Sequence, residues 1–201
     1  MSELLQKAKE LVAMLEKEEN KNKVRLSDIP VGGKFDTGIG RFIVLEQRNG
    51  ETCVITEDLY RKNVLFDDEC TDYSKSDLRE LCDTEIYKEF ANEFGTDNIC
   101  TNVANLMTVD GQTIFGSIQT KVRPLTFDEA RKYNKHLPNN DLKDYYWTCC
   151  SWSTEDRGWG YSVVVVSPGG GFDCSSYYCG YGVRSFCILK SDIFVSRVEE
   201  E

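Results

Sequence analysis

The sequence predicts an α+β fold in which helices come mainly before strands. Two apolar, β-branched runs flank Asn49-Gly50, a dipeptide that is typical of a hairpin turn. Helix-start signals follow at Ser76 and in the capping box from Thr126 to Glu129. Short strands separated by long loops are then predicted for 145–152, 161–167 and 182–189. This order of elements favours an α+β domain over repeated βαβ units.

Each remaining element has its own local signal. The hairpin strands are predicted for 42–45 and 52–55. Ser76 begins a helix from Asp77 to Cys82, and a second helix begins at Asp83 or Thr84 and ends at Gly95. Strands are predicted for 99–109 and 113–118, with a turn at Asp110-Gly111, and the capping-box helix continues to about Tyr133.

The N-terminal segment predicts an amphipathic helix from Glu3 to Glu19. Its apolar residues follow helical spacing and form one stripe: Leu4, Leu5, Ala8, Leu11, Val12 and Leu15. The polar run 17–23 is typical of a linker. We therefore divide the chain into a helix and linker, 1–27, and a domain, 28–201. The stripe can be covered by that domain, by a second copy of the chain in a homo-oligomer, or by another partner.

The net charge of −10 is concentrated in one segment. Residues 51–110 contain 15 Asp or Glu and 5 Lys or Arg. This charge argues against direct binding of nucleic acid or an anionic membrane surface. The acidic segment is either a solvated face that aids solubility or a contact face for a basic partner, such as the nucleic-acid groove of a host protein. For the second case the candidate residues are Asp67, Asp68, Glu69 and Asp72.

Residues suited to catalysis or metal binding are few. The nine cysteines are an odd number, and no signal peptide is apparent, which favours reduced thiols. Cys149-Cys150 and the pair Cys174 and Cys179 could supply four zinc ligands, but neither pair has the Cys-x2-Cys spacing. His136, the only histidine, has no nucleophile beside it and is expected in an exposed loop. We predict no catalytic residue, no metal and no cofactor.

The composition of the C-terminal half is typical of a binding surface. Tyrosine and tryptophan alternate there with serine and glycine, which combine large rigid contacts with adaptable ones. Trp147, Trp152 and Phe186 are expected in the core. The glycine run 169–171 lacks a following helix and predicts a tight loop or hairpin rather than a phosphate site. The predicted ligand-binding residues are Trp159, Tyr161, Phe172, Asp173, Tyr177, Tyr178 and Tyr181.

Several motifs together resemble an uncharacterised domain of Firmicutes and their phages. They are Tyr73-Ser74-x-Ser76-Asp77-Leu78-Arg79-Glu80-Leu81, Ile86-Tyr87-x3-Phe90, Val122-Arg123-Pro124-Leu125-Thr126-x2-Glu129-Ala130-x2-Tyr133, Tyr146-Trp147-Thr148 and Gly180-Tyr181-Gly182-Val183-Arg184-Ser185. That domain is similar to C-type-lectin-like folds, which include formylglycine-generating enzymes and the variable proteins of diversity-generating retroelements. The resemblance spans about 29–189. It implies a C-type-lectin-like domain of short antiparallel strands and long loops, with Arg184 buried or semi-buried at the start of a strand.

Two departures from the family pattern limit what the resemblance implies. Thr148-Cys149-Cys150-Ser151 replaces a Leu-Arg-Ser stretch, and Ser185 replaces a proline. The calcium-binding triplets of lectins are absent as well. The resemblance therefore implies a fold more than a chemistry.

We expect a non-catalytic binding protein of phage or prophage type that recognises a protein ligand through its C-terminal loops. It would be cytoplasmic in the host cell or part of a virion. The alternative is an acidic, anti-CRISPR-like inhibitor that occupies the basic groove of a host defence nuclease. A thiol- or metal-dependent enzyme is the third hypothesis.

Overall fold

A computed structural model describes residues 5–7, 9–11 and 23–198. It confirms a mixed α+β fold in which strands predominate. The sheets begin at Lys23, which pairs with Ser196, so the folded part starts five residues before the predicted boundary at 28. Part of the predicted linker is thus a strand.

A twisted eight-stranded sheet contains the predicted hairpin. Its strands are β1 (Lys23–Arg25), β2 (Lys34–Thr37), β3 (Gly40–Arg48), β4 (Glu51–Thr56), β6 (Ile99–Cys100), β9 (Val122–Arg123), β14 (Phe186–Lys190) and β15 (Phe194–Arg197). The order is β1-β15-β2-β3-β4-β14-β6, with β9 also paired to β14. Asn49 and Gly50 both have positive φ, 51° and 78°, as the tight turn between β3 and β4 requires.

The helical segment between the sheets is more continuous than predicted. Ser76 caps α1 (Asp77–Leu81) by accepting a hydrogen bond from the Arg79 amide. A π-helical turn, Cys82–Ile86, leads directly into α2 (Tyr87–Phe94), which ends at Gly95 with φ 82°. The predicted separate start at Asp83 or Thr84 is therefore wrong, because the backbone stays helical through the π turn.

A two-stranded ribbon corrects two strand predictions. The strand predicted for 99–109 ends at Asn105 and is divided into β6 and β7 (Asn102–Asn105). The strand predicted for 113–118 is wrong over its first part, because Ile114 and Phe115 form a turn and Gly116 has φ 65°. Pairing resumes only in β8 (Ser117–Thr120). The predicted turn at Asp110 is present.

A five-stranded sheet forms the other half of the domain. It consists of β5 (Arg61–Val64), β10 (Tyr146–Ser151), β11 (Ser162–Val166), β12 (Phe172–Ser176) and β13 (Tyr181–Val183), in the order β12-β11-β10-β13-β5. Strand β10 is buried along its whole length, so Cys149 and Cys150 are both buried, and its register with β11 is irregular between Trp147 and Ser151. The predicted loop or hairpin after 169–171 is a hairpin, β11–β12.

Two arginines lie in the core. Arg123 makes a bidentate ion pair with Glu129, at 2.6 and 2.8 Å, and donates to Asn102. Arg184 is fully buried, as expected, and donates to the carbonyls of Thr56 and Leu137. Burial disfavours the Arg123 charge, but Glu129 raises the guanidinium pKa above its usual value. The pair fixes α3 (Phe127–Lys132), whose capping box by Thr126 and Glu129 is confirmed.

The N-terminal segment is helical at the residues that are described. Residues 5–7 and 9–11 are helical and exposed, including Leu5 and Leu11 from the predicted stripe. The other stripe residues, Leu4, Ala8, Val12 and Leu15, lie outside the described residues. Within the described ranges, no helix is both long enough and apolar enough to cross a membrane.

Candidate binding site

Three tyrosines meet at one end of the β11–β12 hairpin. Tyr161 precedes β11, and Tyr177 and Tyr178 follow β12, so the antiparallel pairing brings them together. The Tyr177 amide donates to the Tyr161 carbonyl at 3.0 Å. Ring centroids are 6.1 Å apart for Tyr161 and Tyr177, and 5.3 Å apart for Tyr177 and Tyr178. Tyr161 and Tyr178 are 64% and 58% exposed, so this cluster presents aromatic area to solvent.

Trp159 extends the aromatic area along the preceding loop. Its ring lies 6.2 Å from that of Trp152 and is 45% exposed. The short helical turn Glu155–Arg157 holds this loop, because Gly158 adopts the left-handed conformation and the Trp159 amide donates to the Thr154 carbonyl. Trp147 and Phe186 are buried as predicted, whereas Trp152 is only half-buried.

The other predicted ligand-binding residues lie elsewhere. Phe172 and Asp173 start β12, so they are about 16 and about 13 Å along the strand from Tyr177. The Phe172 ring packs against Phe127 at 5.2 Å. Tyr181 packs edge-on against the buried Trp147 ring at 5.0 Å, and its hydroxyl hydrogen-bonds Ser175. Tyr181, which the sequence predicts for the binding surface, is thus only half-exposed and lies apart from the tyrosine cluster.

Asp173 has a local structural role. In the β11–β12 register, the Tyr161–Tyr177 pair is hydrogen-bonded, so the alternation leaves Cys174 with its amide pointing away from β11. That amide donates to the Asp173 carboxylate at 2.8 Å. The outward N–H of Cys174 on this edge strand is thus already hydrogen-bonded.

Asp67 is not a surface residue. It is 5% exposed, and its carboxylate accepts hydrogen bonds from the backbone amides of Glu69, Cys70 and Asp77. Desolvation opposes the charge, but these hydrogen bonds lower the carboxyl pKa below its usual value. Its placement on an acidic contact face is therefore wrong: the carboxylate organises the loop 67–72 and the start of α1.

The other three residues predicted for the acidic face are fully or partly accessible to solvent. Asp68 and Glu69 are exposed. Asp72 is half-buried; its carboxylate accepts from the Ser74 amide and lies 3.2 Å from the Lys75 ammonium. Two acids of the four therefore point freely into solvent, and a third is partly accessible.

The acidic loop, residues 67–72, lies next to the tyrosine cluster, which consists of Tyr161, Tyr177 and Tyr178. The amides of Phe66 and Asp67 both donate to the Tyr177 carbonyl, at 3.0 and 3.3 Å. The Ser151 hydroxyl donates to the Thr71 carbonyl at 2.6 Å and anchors the far end of the loop on β10. One continuous surface results, which we call the composite surface: Asp68, Glu69, Asp72, Trp159, Tyr161, Tyr177 and Tyr178.

An acidic cavity of about 390 Å³ adjoins the composite surface. It lies between the acidic loop, the turn at Ile114 and Phe115, and the loop 154–160. Sequence reasoning missed it because the three segments are distant in the chain. Its charged lining consists of Glu69, Asp72, Lys75, Glu155 and Asp156.

The buried thiols are poorly suited to nucleophilic or metal chemistry. All nine are free, and burial raises the pKa of Cys53 to about 11 and that of Cys82 to about 12. Burial also raises the pKa of Cys149 and Cys187 well above the usual value. Nucleophilic attack and metal ligation both require the thiolate. Among described residues, no group of three potential ligands includes a cysteine.

His136 is not the exposed loop residue that was expected. It is half-buried, and a side-chain carbon at Gly32 would lie 2.9 Å from its Nδ1 atom, so the ring packs closely on that glycine. Burial lowers the imidazole pKa.

The chain matches no family model, no curated protein and no solved structure. The resemblance to C-type-lectin-like domains therefore stays a prediction.

Proposed function

We propose that the chain is a non-catalytic binding protein that recognises a basic protein segment through the composite surface. The main support for the proposal is that the acidic loop and the tyrosine cluster lie next to each other. The amides of Phe66 and Asp67 donate hydrogen bonds to the Tyr177 carbonyl and hold the two parts together. Exposed tyrosine and tryptophan rings supply contact area at low entropic cost, and adjacent carboxylates favour a cationic partner. The acidic face and the aromatic C-terminal loops, which the sequence predicts as separate binding surfaces, would thus contact the same partner. A C-type-lectin-like architecture belongs to the same proposal.

The charge balance supports a basic partner over a neutral one. Asp68 and Glu69 are exposed and make no ion pair within the described part of the chain, so a partner would not have to displace an existing cation. The basic nucleic-acid groove of a host defence nuclease has this chemistry. Competition between the protein and DNA for such a nuclease would identify this case.

Affinity capture from host lysate with matched variants tests the proposal. Tyr178→Ala should weaken capture by about 2 kcal/mol, or roughly thirtyfold in Kd, as expected for a hot-spot tyrosine. Charge reversal by Asp68→Lys and Glu69→Lys should weaken capture most at low salt, where screening is weakest. The controls are Phe194→Ala, an exposed ring on the other sheet, and Asp97→Lys, an exposed acid elsewhere.

The captured protein must then be purified and its Kd measured with each variant. Loss with the surface variants and retention with both controls is the expected pattern. Equal affinity of the wild type and the surface variants would refute the proposal.

A further inference from the structure

The acidic cavity carries an uncompensated negative charge. Four acidic residues line it: Glu69, Asp72, Glu155 and Asp156. Its lining contains one cation, Lys75, which pairs with Asp72. In the part of the chain that the structure describes, no Lys or Arg lies within ion-pair distance of Glu69, Glu155 or Asp156.

The cation nearest to these acids in sequence points elsewhere. The guanidinium of Arg157 binds the Asp110 carboxylate at 3.1 Å, and Asp110 is held in turn by the hydroxyls of Thr108 and Ser153. Those hydroxyls lower the Asp110 pKa and keep the carboxylate available to Arg157. The arginine of the loop is thus directed away from the cavity, which leaves the cavity acids for an external cation.

Two nearly buried threonines in the cavity lining have hydroxyl groups that no described residue pairs. Thr71 and Thr154 are 6% and 9% exposed, and both line the cavity. Thr154 occupies the N-cap position of the turn Glu155–Arg157 but makes no side-chain cap hydrogen bond. Among described residues, neither hydroxyl hydrogen-bonds a neighbour. Neither oxygen is among the fully buried unpaired polar atoms of the described residues, so both remain accessible to a hydrogen-bonding group that enters the cavity.

The cavity also offers apolar contact. Ile114 is 71% exposed, and Phe115 beside it is half-buried. The long aliphatic stem of a lysine or arginine covers such surface while its charged end reaches polar groups. A volume of about 390 Å³ is at the lower end of the range that takes a small ligand.

A bare metal ion fits the cavity less well than a side chain. Metal binding requires several ligand atoms close together. Among described residues, Asp67, Asp68 and Asp77 form the only group of three carboxylate or similar ligands within 4.8 Å of one another. The cavity acids are spaced more widely, which suits the several N–H donors of an ammonium or guanidinium group.

We propose that the acidic cavity receives the side chain of a single lysine or arginine from the bound partner. The stem would lie on Ile114 and Phe115. The cationic group would donate to Glu155, Asp156 and the hydroxyl of Thr154. This inference rests on the proposed function. Within the binding surface, the cavity would be the pocket that selects a basic residue of the partner.

Nuclear magnetic resonance titration of the full, isotope-labelled chain tests the assignment without knowledge of the partner. The probes are N-acetyl-arginine amide and N-acetyl-lysine amide, with neutral N-acetyl-citrulline amide as the control ligand. We expect saturable shifts of the backbone amides in 70–72, 114–115 and 154–160 with the cationic probes only. A stronger response to the arginine or the lysine probe identifies the preferred cation.

Charge-neutralising variants complete the test. Glu155→Gln with Asp156→Asn should weaken probe binding at least about tenfold, because the loss of a single charged hydrogen bond already has that effect. Glu85→Gln with Asp97→Asn removes the same charge from exposed acids elsewhere and should leave binding unchanged. Absence of shifts, or equal binding by the two double variants, would overturn the assignment.

A peptide of alternating glycine and arginine separates this failure from failure of the proposed function. Shifts across Asp68, Tyr161 and Tyr178 without shifts at the cavity would refute the pocket and retain the binding surface. No shift at either place would refute both.

Discussion

Glu129→Gln tests the buried ion pair that holds α3. The substitution keeps the size of the side chain and its capacity to cap the helix, but removes the counter-charge of Arg123. Arg123 is 1% exposed on its side chain and Glu129 is 23% exposed, so solvent can replace little of the lost interaction. Removing one partner of such a pair typically costs 3–5 kcal/mol, and the retained amide hydrogen bond places our expectation at about 3 kcal/mol.

Urea unfolding at neutral pH measures the effect, and Asp128→Asn is the matched control. Asp128 is half-exposed and pairs with Arg131 on the surface, so its loss should change the free energy of unfolding by less than about 0.5 kcal/mol. Desolvation opposes the Glu129 charge, but Arg123 lowers its folded pKa overall. The stabilisation is therefore complete above the unfolded value of about 4.3 and is lost as pH falls through the folded pKa. Similar unfolding midpoints for the two variants at neutral pH would refute the reasoning.

Two further predictions concern the acidic loop and the thiols. Asp67→Ala should lower the free energy of unfolding by about 2–3 kcal/mol, because three backbone amides lose their acceptor, whereas Asp68→Ala should change it little. The lowered pKa of Asp67 means that this difference is present above about pH 4 and shrinks as pH falls further, which urea unfolding across pH would show. In the native protein only the half-exposed thiols should react with Ellman's reagent, and fast reaction of more than these would contradict the structure. They are Cys70, Cys100, Cys174 and Cys179.

Turns and helix ends were predicted correctly where the local backbone conformation requires a particular residue type. The turn at Asn49 and Gly50 needs positive φ, and the Thr126 capping box satisfies the first amides of α3 from within its own sequence. Gly95 ends α2 for the same local reason. One failure occurred where the chain lacks periodic apolar residues. The strand β12 is missed because its residues are polar and only half-buried, and it is held by its pairing to β11.

The candidate site was predicted in pieces but not as a whole. Tyr161 and Tyr178 are exposed as their composition suggests, and Glu69 is exposed as its charge suggests. Their contiguity depends on hydrogen bonds from Phe66 and Asp67 to Tyr177, about 110 positions later in the chain. Contacts over such separations leave no periodic pattern in a single sequence. The cavity was missed for the same reason.

The Asp173 carboxylate has a consequence for how the molecule behaves at high concentration. A free strand edge with unsatisfied amides is a template on which strands of other molecules can add, which begins many forms of aggregation. The alternation turns the amides of Phe172, Cys174 and Ser176 away from β11. The central one, that of Cys174, is already bound by Asp173, and the negative charge at that edge repels another acidic chain. The protein can therefore keep adhesive tyrosines at one end of this hairpin while the hairpin itself resists growing into a fibre. Asp173→Ala should remove that protection while leaving the tyrosine cluster in place.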